Sequence, residues 1–301
     1  MSFAGAKSFV EENDTVILYL SINNMHAIQV TPKLTNKDGK MVDNVFQTQF
    51  GALRVISLVG TEYGSKPSPE LWTLTLPHRT QIIYTPDISM ILYQLEIKPG
   101  SVVIESGTGS GSLSHALIRA IKSTGHLHTF DFHEVRAQMA REEFQQHGIG
   151  DFVTVYHRDV CSNGFTEALN GSVDAVFLDL PAPWLAVPHA VKAFKSSGGR
   201  FCSFSPCIEQ SQRCCEALDT HKFVEIQTME IIHMESILKP RYIPTLELDF
   251  VKHKKTESEN GEKPQGNPLE TKKIVSATHP QSLPGHTGYL TFATFPPQHS
   301  R

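Results

Sequence analysis

The sequence predicts an α/β fold. It reads as a doubly wound, mostly parallel sheet with a final antiparallel strand, behind a small N-terminal β-barrel-like module. Three observations predict this. From about residue 71, strand-sized apolar runs alternate with stretches of helical period, the rhythm of a sheet covered by helices on both faces. Before that point, apolar runs alternate only with turn residues. One of the later strands also runs directly into a glycine-rich turn that opens a helix.

In the N-terminal module, taken as 1–66, Val16–Leu20, Ala27–Val30 and Ala52–Leu58 read as strands. Asn23-Asn24 and Asp38-Gly39 read as turns. The second domain is taken as 67–301. Ile88, Ile91, Leu92 and Leu95 share one helical face, and Pro86 sits at its start, where a missing N–H costs nothing. Ser101–Glu105 is the first buried strand, and Leu113, Ala116, Leu117, Ala120 and Ile121 mark the helix after it. His126–Asp131, Phe152–Tyr156, Val173–Leu178 and Gly199–Phe204 continue the strands. Helices are expected over 134–147, through Val187, Val191 and Phe194, and around Cys214, Cys215 and Leu218. Residues 223–232 suggest a further strand and Gly288–Thr294 the last. Between them, 252–284 is polar and rich in Lys, Glu, Pro, Ser and Thr, and reads as a disordered insert.

The bulk numbers narrow the function. A length of 301 residues suits one α/β domain plus a small module. No apolar run is long enough for a membrane span, and the first residues lack the pattern of a secretory signal. Cys161, Cys202, Cys207, Cys214 and Cys215 form no CxxC pair, so no metal site is expected, and Cys214 and Cys215 read as structural. A formal charge of −4 argues against nucleic acid being held by bulk charge, so an RNA substrate would require a local basic patch or a partner. Lys252, Lys254 and Lys255 form a basic run that reads as a solvated face.

The sharpest chemical signal is Glu105-Ser-Gly107-Thr-Gly109-Ser110-Gly111-Ser112, between a strand and a helix. Glycines let a ligand approach the backbone. The spacing is GxGxG, where a dinucleotide site has GxGxxG facing a pyrophosphate. An acid at the strand end, Glu105, suits a cationic ligand better. S-adenosylmethionine, with its sulfonium, amino acid end, ribose and adenine, meets that description. This makes the expected fold a Rossmann-like class I methyltransferase. Asp131, ending the second strand, can accept hydrogen bonds from both ribose hydroxyls. Arg136 follows in the next helix, as a ligand contact or a solvated cation. Asp159, in Arg158-Asp159-Val160, can accept the amino group of the donor's adenine or simply cap a turn. Asp179, in Asp179-Leu-Pro181-Ala-Pro183-Trp184, lies at the carboxyl end of the fourth strand, beside the glycine turn. A carboxylate beside a stacking ring suits a nucleobase bearing an exocyclic amino group. His78, Arg79, Thr80 and Gln81, before the first expected helix, are candidates to line the cofactor or RNA pocket, and Ile83 is counted among the cofactor-binding residues.

At these residues the chain resembles the catalytic subunit of the eukaryotic tRNA (adenine-58-N1) methyltransferase. The resemblance lies in PELWTLTLPHRTQIIY at 69–84, ESGTGSGS at 105–112, GHLHTFDFHEVRA at 125–137, FLDLPAPW at 177–184, GGRFCSFSPCIEQ at 198–210 and GHTGYLTFAT at 285–294. It implies cofactor contacts at Ser110, Gly111, Ser112, Asp131, Arg136, Asp159 and Val160, with Asp179 as the catalytic carboxylate. It also implies tRNA as substrate, a related non-catalytic RNA-binding subunit in a heterotetramer, and residence in the nucleus. The chain departs from the family at Asp131, where members often carry Glu. It also departs at Gly64-Ser65-Lys66, which runs straight into Pro67-Ser68-Pro69-Glu70, so the N-terminal module is expected to lack a strand. The expected mechanism is in-line attack of adenine N1 on the methyl group. Asp179 would orient the base and stabilise its developing charge, and Pro181 and Trp184 would contact it. Two rivals make different demands. A nicotinamide oxidoreductase would need the other glycine spacing and a hydride-transfer set, and a non-catalytic subunit would have lost the glycines and Asp179.

Overall fold

The structure, a computed structural model, describes residues 3, 7–21, 23–36, 38–245, 271–280, 282, 285 and 288–300. It divides into two units, Met1–Ile231 with His286–Arg301, and Ile232–Gly285.

The expected N-terminal β module is built from antiparallel hairpins. β1 (Thr15–Ser21) pairs with β2 (Asn24–Gln29), β3 (Lys33–Thr35) with β4 (Met41–Asp43), and β5 (Val45–Thr48) with β6 (Gly51–Arg54). Asn23 and Gly39 lie in turns, as read, and Gly39 uses the positive φ of +75° that its turn requires. Val10, Val16, Ile28, Val30 and Val55 close a small core. The run Ala52–Leu58 differs from its expected single strand. It is extended to Arg54 and then winds into a 3-10 turn, Val55–Leu58, with the Ser57 hydroxyl donating to the Arg54 carbonyl. Burying Val55 in that core rewards the turn over a longer strand.

α1 (Pro69–Thr75) is an element the periodicity does not reveal, because seven residues are too few for a repeating stripe. Local chemistry builds it: Ser68 accepts a hydrogen bond from the Leu71 N–H, and proline occupies the first turn. α2 (Thr85–Gln94) follows, with Pro86 in its first turn and Ile88 and Ile91 buried.

The main sheet contains β7 (Val102–Ser106), β8 (His126–Asp131), β9 (Val153–His157), β10 (Ala175–Asp179), β11 (Gly199–Ser205) and β12 (Val224–Met229). In the second unit, β13 (Ile237–Pro244) and β14 (Thr271–Thr278) form an antiparallel hairpin. Residues 271–278, expected within a disordered insert, are therefore paired strand. Their ladder partners lie upstream of the polar stretch, which a local reading of composition does not reach. Residues 252–270 of that insert, including Lys252, Lys254 and Lys255, lie outside the described residues. β15 (Tyr289–Phe295) completes the main sheet, whose order is β12-β15-β11-β10-β7-β8-β9. β11 to β9 run parallel, and β15 is antiparallel to both its neighbours.

Helices cover both faces. α2, α3 (Ser112–Ile121) and α4 (Glu134–Gln146) pack with Val103, Leu127 and Phe177 on one side. α5 (Val160–Asn163), α6 (Val187–Ala193) and α7 (Ile208–Thr220) pack with Ile104, Val176 and Phe201 on the other. Consecutive strand residues thus enter different cores, which is why these strands read as continuous apolar runs. The chain reverses its direction of travel across the sheet between β7 and β10. In such sheets the crevice beyond the strand ends at that point takes the ligand. No helix among the described residues is long and apolar enough to cross a membrane.

Candidate active site

The turn after β7 is the site's floor. Gly107, Gly109 and Gly111 adopt φ of +102°, +53° and +77°. At Gly107 a side chain has no room, since a Cβ would stand 2.4 Å from the Asp179 carbonyl oxygen. The glycine turn and the end of β10 are therefore in direct backbone contact, as the strand order demands.

A cleft of about 520 Å³ opens above this contact. Its walls include Thr80, Gln81, Gly107, Gly109, Asp131, Arg136, Asp159, Val160, Asp179 and Pro181, all named from the sequence. Ile83, Glu105, Ser110, Gly111 and Ser112 border a small adjoining recess under the turn, with Thr80, Gln81, Gly107, Gly109 and Asp179 shared.

Three carboxylates converge here in different environments. Asp131 is buried and receives the Gly109 N–H at 3.2 Å, the His133 N–H at 2.8 Å and the Arg136 guanidinium at 2.9 Å. Glu105 is wholly internal and accepts from the Ser114 and Thr129 hydroxyls at 2.6 and 2.7 Å. Burial nevertheless pushes its pKa up to about 7, and the hydroxyls only partly oppose this. Asp179 has no hydrogen bond or ion pair to its carboxylate among the described residues, and burial raises it to about 6. Two poorly compensated acids beside a third make a site that favours a cationic ligand. Asp159 differs: it is exposed and caps α5, and hydrogen bonds from Ser162 and Cys161 hold its pKa low.

The serines of the turn have internal work. Ser110 Oγ accepts from the N–H groups of Arg79 and Thr80, at 2.9 and 3.1 Å. Ser112 Oγ donates to the Ile83 carbonyl at 2.8 Å and lies 2.8 Å from the Thr73 hydroxyl. Their side chains brace the turn and leave its backbone to face the cleft.

Three sequence candidates stand elsewhere. His78 is exposed and outside the cleft wall. Arg79 turns away to a bidentate pair with Glu143 of α4, at 3.0 and 3.3 Å. Trp184 follows the cleft wall, which ends at Ala182, and its ring lies under the Arg213 guanidinium at 5.2 Å. Of the three, Arg79 has a chain neighbour in the cleft wall, Thr80, while its own side chain turns to Glu143.

The cleft also has walls the sequence reading missed. Phe132 is 63% exposed, with the Arg136 guanidinium 5.0 Å from its ring centre. An exposed aromatic is a flat apolar wall of the kind an adenine ring uses. The available signal was an aromatic immediately after the strand-end acid. Arg158 and Cys161 also border the cleft.

Away from the cleft, ligand atoms of buried His115, Glu143 and His147 lie within 4.8 Å of one another, near enough for an ion that the sequence reading did not anticipate. Each already has a partner. His115 Nδ1 lies 2.6 Å from the Gly111 carbonyl, so it donates there, and its Nε2 lies 2.8 Å from His147 Nδ1. Burial lowers these imidazoles to about 4 and about 2, keeping both neutral.

Comparison with known proteins places this geometry. Residues 62–295 match the family described as the tRNA methyltransferase complex GCD14 subunit. The chain is 39% identical to the tRNA (adenine(58)-N(1))-methyltransferase catalytic subunit of Dictyostelium discoideum, over 96% of this chain and 97% of that protein. It is 41% identical to the corresponding subunit of Candida albicans, over 77% and 70%. Two solved structures share the fold. A SAM-dependent O-methyltransferase from Thermotoga maritima has a TM-score of 0.64 at 24% identity, covering 95% of this chain and 94% of that one. The tRNA (m1A58) methyltransferase TrmI from Aquifex aeolicus has 0.66 at 20%, covering 95% and 98%.

Proposed function

This chain belongs to the tRNA methyltransferase complex GCD14 subunit family, and on that premise we propose that it is the catalytic subunit that methylates N1 of adenine-58 in the T-loop of tRNA. The observation that carries the catalytic assignment is the contact of Asp179 with the glycine turn, in a cleft lined by acids. S-adenosylmethionine, when bound, supplies the methyl group. Its cationic centre suits the acidic cleft, Asp131 suits its ribose, and Val160 and Phe132 offer apolar surface for its adenine. A nicotinamide dinucleotide fits poorly, because a pyrophosphate would meet these carboxylates.

Asp179 accepts a hydrogen bond from the exocyclic amino group of the target adenine. That turns the in-plane N1 lone pair toward the methyl group and stabilises the positive charge that grows on the base. Placement of this kind is worth roughly 3–4 kcal/mol. The base must leave its stack first, at a cost of a few kcal/mol. Pro181 borders the space it enters, and Trp184, held by Arg213, stands just outside.

The family description names a complex, and a formal charge of −4 supports a partner that supplies phosphate contacts. We further propose a related non-catalytic RNA-binding subunit in a two-plus-two heterotetramer, and residence in the nucleus. Both readings rest on the family resemblance. The test is methyl transfer to unmodified tRNA with and without that partner, mapped by primer extension, which stops at an N1-methylated adenine. A stop at position 58 in the presence of the partner supports the reading. Methylation at another nucleotide overturns it.

A further inference from the structure

The glycine turn is held by the segment that leads into the Thr80–Gln81 wall of the cleft. The N–H groups of Arg79 and Thr80 both donate to buried Ser110 Oγ, in the middle of the turn. The Thr80 hydroxyl fills the space a Cβ would take at Gly109, 2.7 Å away. Thr80 and Gln81 then become cleft wall. What fixes this segment is the Arg79 side chain, joined to Glu143 by two hydrogen bonds, with side-chain exposures of only 10% and 11%. Glu143 is close to the turn as well, because its Oε1 would lie 3.4 Å from a Cβ on Gly111. A planar, two-point pair between near-buried groups defines orientation as well as distance.

We propose that Arg79 and Glu143 are positioning residues for methyl transfer, setting the glycine turn and the Thr80–Gln81 wall in the geometry that binds the donor. The sequence alone suggested that Arg79 could meet the RNA. The structure gives its guanidinium a different partner, Glu143, which stands by Gly111, whereas Asp179 meets the turn at Gly107. The assignment builds on the reading of the cleft as the donor site.

The experiment uses the full chain assembled with its partner subunit and compares Arg79→Met, Glu143→Gln and the double variant. Donor affinity is measured by calorimetry with S-adenosylmethionine, and KM for donor and for tRNA in the transfer assay. The inference expects either single change to weaken donor binding roughly tenfold, because small misplacements of a binding frame carry penalties of that order or more. Donor KM should rise by more than kcat falls, with KM for tRNA near wild type. The double variant should match the worse single variant, as expected of groups that act as one unit. A raised tRNA KM with unchanged donor affinity in Arg79→Met overturns the inference in favour of an RNA contact. If Arg79→Met does not fold, Glu143→Gln decides alone, and wild-type donor affinity in that variant ends the proposal. The calorimetry needs no RNA, so it still tests the pair if wild-type complex proves inactive on tRNA.

Discussion

The carboxylate of Asp179, at the end of β10, has no hydrogen bond or ion pair among the described residues, and its pKa of about 6 puts it close to the working range of the cell. Only the ionised form carries the negative charge that stabilises positive charge growing on the base. Methyl transfer at saturating donor should therefore fall as pH drops through about 6, a limb that a pH–rate profile would show. Asp179→Ala should reduce kcat by about a hundredfold or more with donor affinity measured separately, and near-wild-type turnover would refute the role. Glu105 makes the opposite kind of prediction, about stability. Its folded pKa of about 7 lies above the ordinary carboxylate range, so between that range and pH 7 the folded state holds the extra proton. Its contribution to stability consequently declines as pH rises through this window, by about 3 kcal/mol in total. In donor-free protein, Glu105→Gln should flatten the fall of Tm between about pH 5 and 8, as scanning calorimetry would show. Both acids were legible in the sequence, because a charged residue at the end of an apolar strand has few reasons to be there. Their proton affinities were not legible, since these depend on neighbours brought from β8, β10 and α3.

Among the elements, the turn between β7 and α3 makes unequal demands on its glycines. A methyl group on Gly107 would collide with the backbone of β10, where no side chain can yield. On Gly111 it would meet only ordinary contacts with Glu143 and Phe144, leaving the left-handed backbone as the main penalty, about 1–2 kcal/mol. Gly107→Ala should therefore abolish measurable donor binding, while Gly111→Ala keeps it with a modest loss of Tm. Equal effects in a titration of the two variants would contradict this view of the turn. The same elements show what sequence pattern can and cannot deliver. The boundaries expected for β8 and for the helix at 134–147 fall on or beside the observed ones, because burial on one stripe or both faces writes a long signal. α1 and the 3-10 turn at Val55–Leu58 are short, and are set by a capping serine and a single buried valine, which leave no period to read. Trp184 and Arg79 stand outside the cleft wall for a related reason: proximity in sequence to a cleft does not fix which way a side chain turns.

For the molecule as a whole, the second unit is an insertion at a closed joint. Met229 of β12 pairs directly with Leu290 of β15, so the chain leaves and re-enters the sheet at neighbouring positions. A short loop can span such a gap at little entropic cost. Replacing Ile232–Gly285 by a few Gly and Ser residues should leave donor affinity within about twofold of wild type, since the described residues that line the cleft belong to the other unit. Loss of donor binding in a folded deletion variant would show that the joint carries more than connection. The paired strand at 271–278 escaped the sequence reading because its ladder partner lies far upstream, whereas composition is judged locally.

The chain has two tryptophans, and they occupy unlike surroundings. Trp72 is sealed among Phe3, His115 and His147, while Trp184 lies partly open beneath Arg213 at the rim of the cleft. The protein consequently carries its own optical reporters. With Trp72→Phe, emission isolates the rim indole, and a nucleobase arriving there would compete with the guanidinium for its face and alter intensity and colour in real time. With Trp184→Phe, the remaining signal follows the enclosed indole and marks unfolding, so docking and denaturation can be watched separately without attaching a dye.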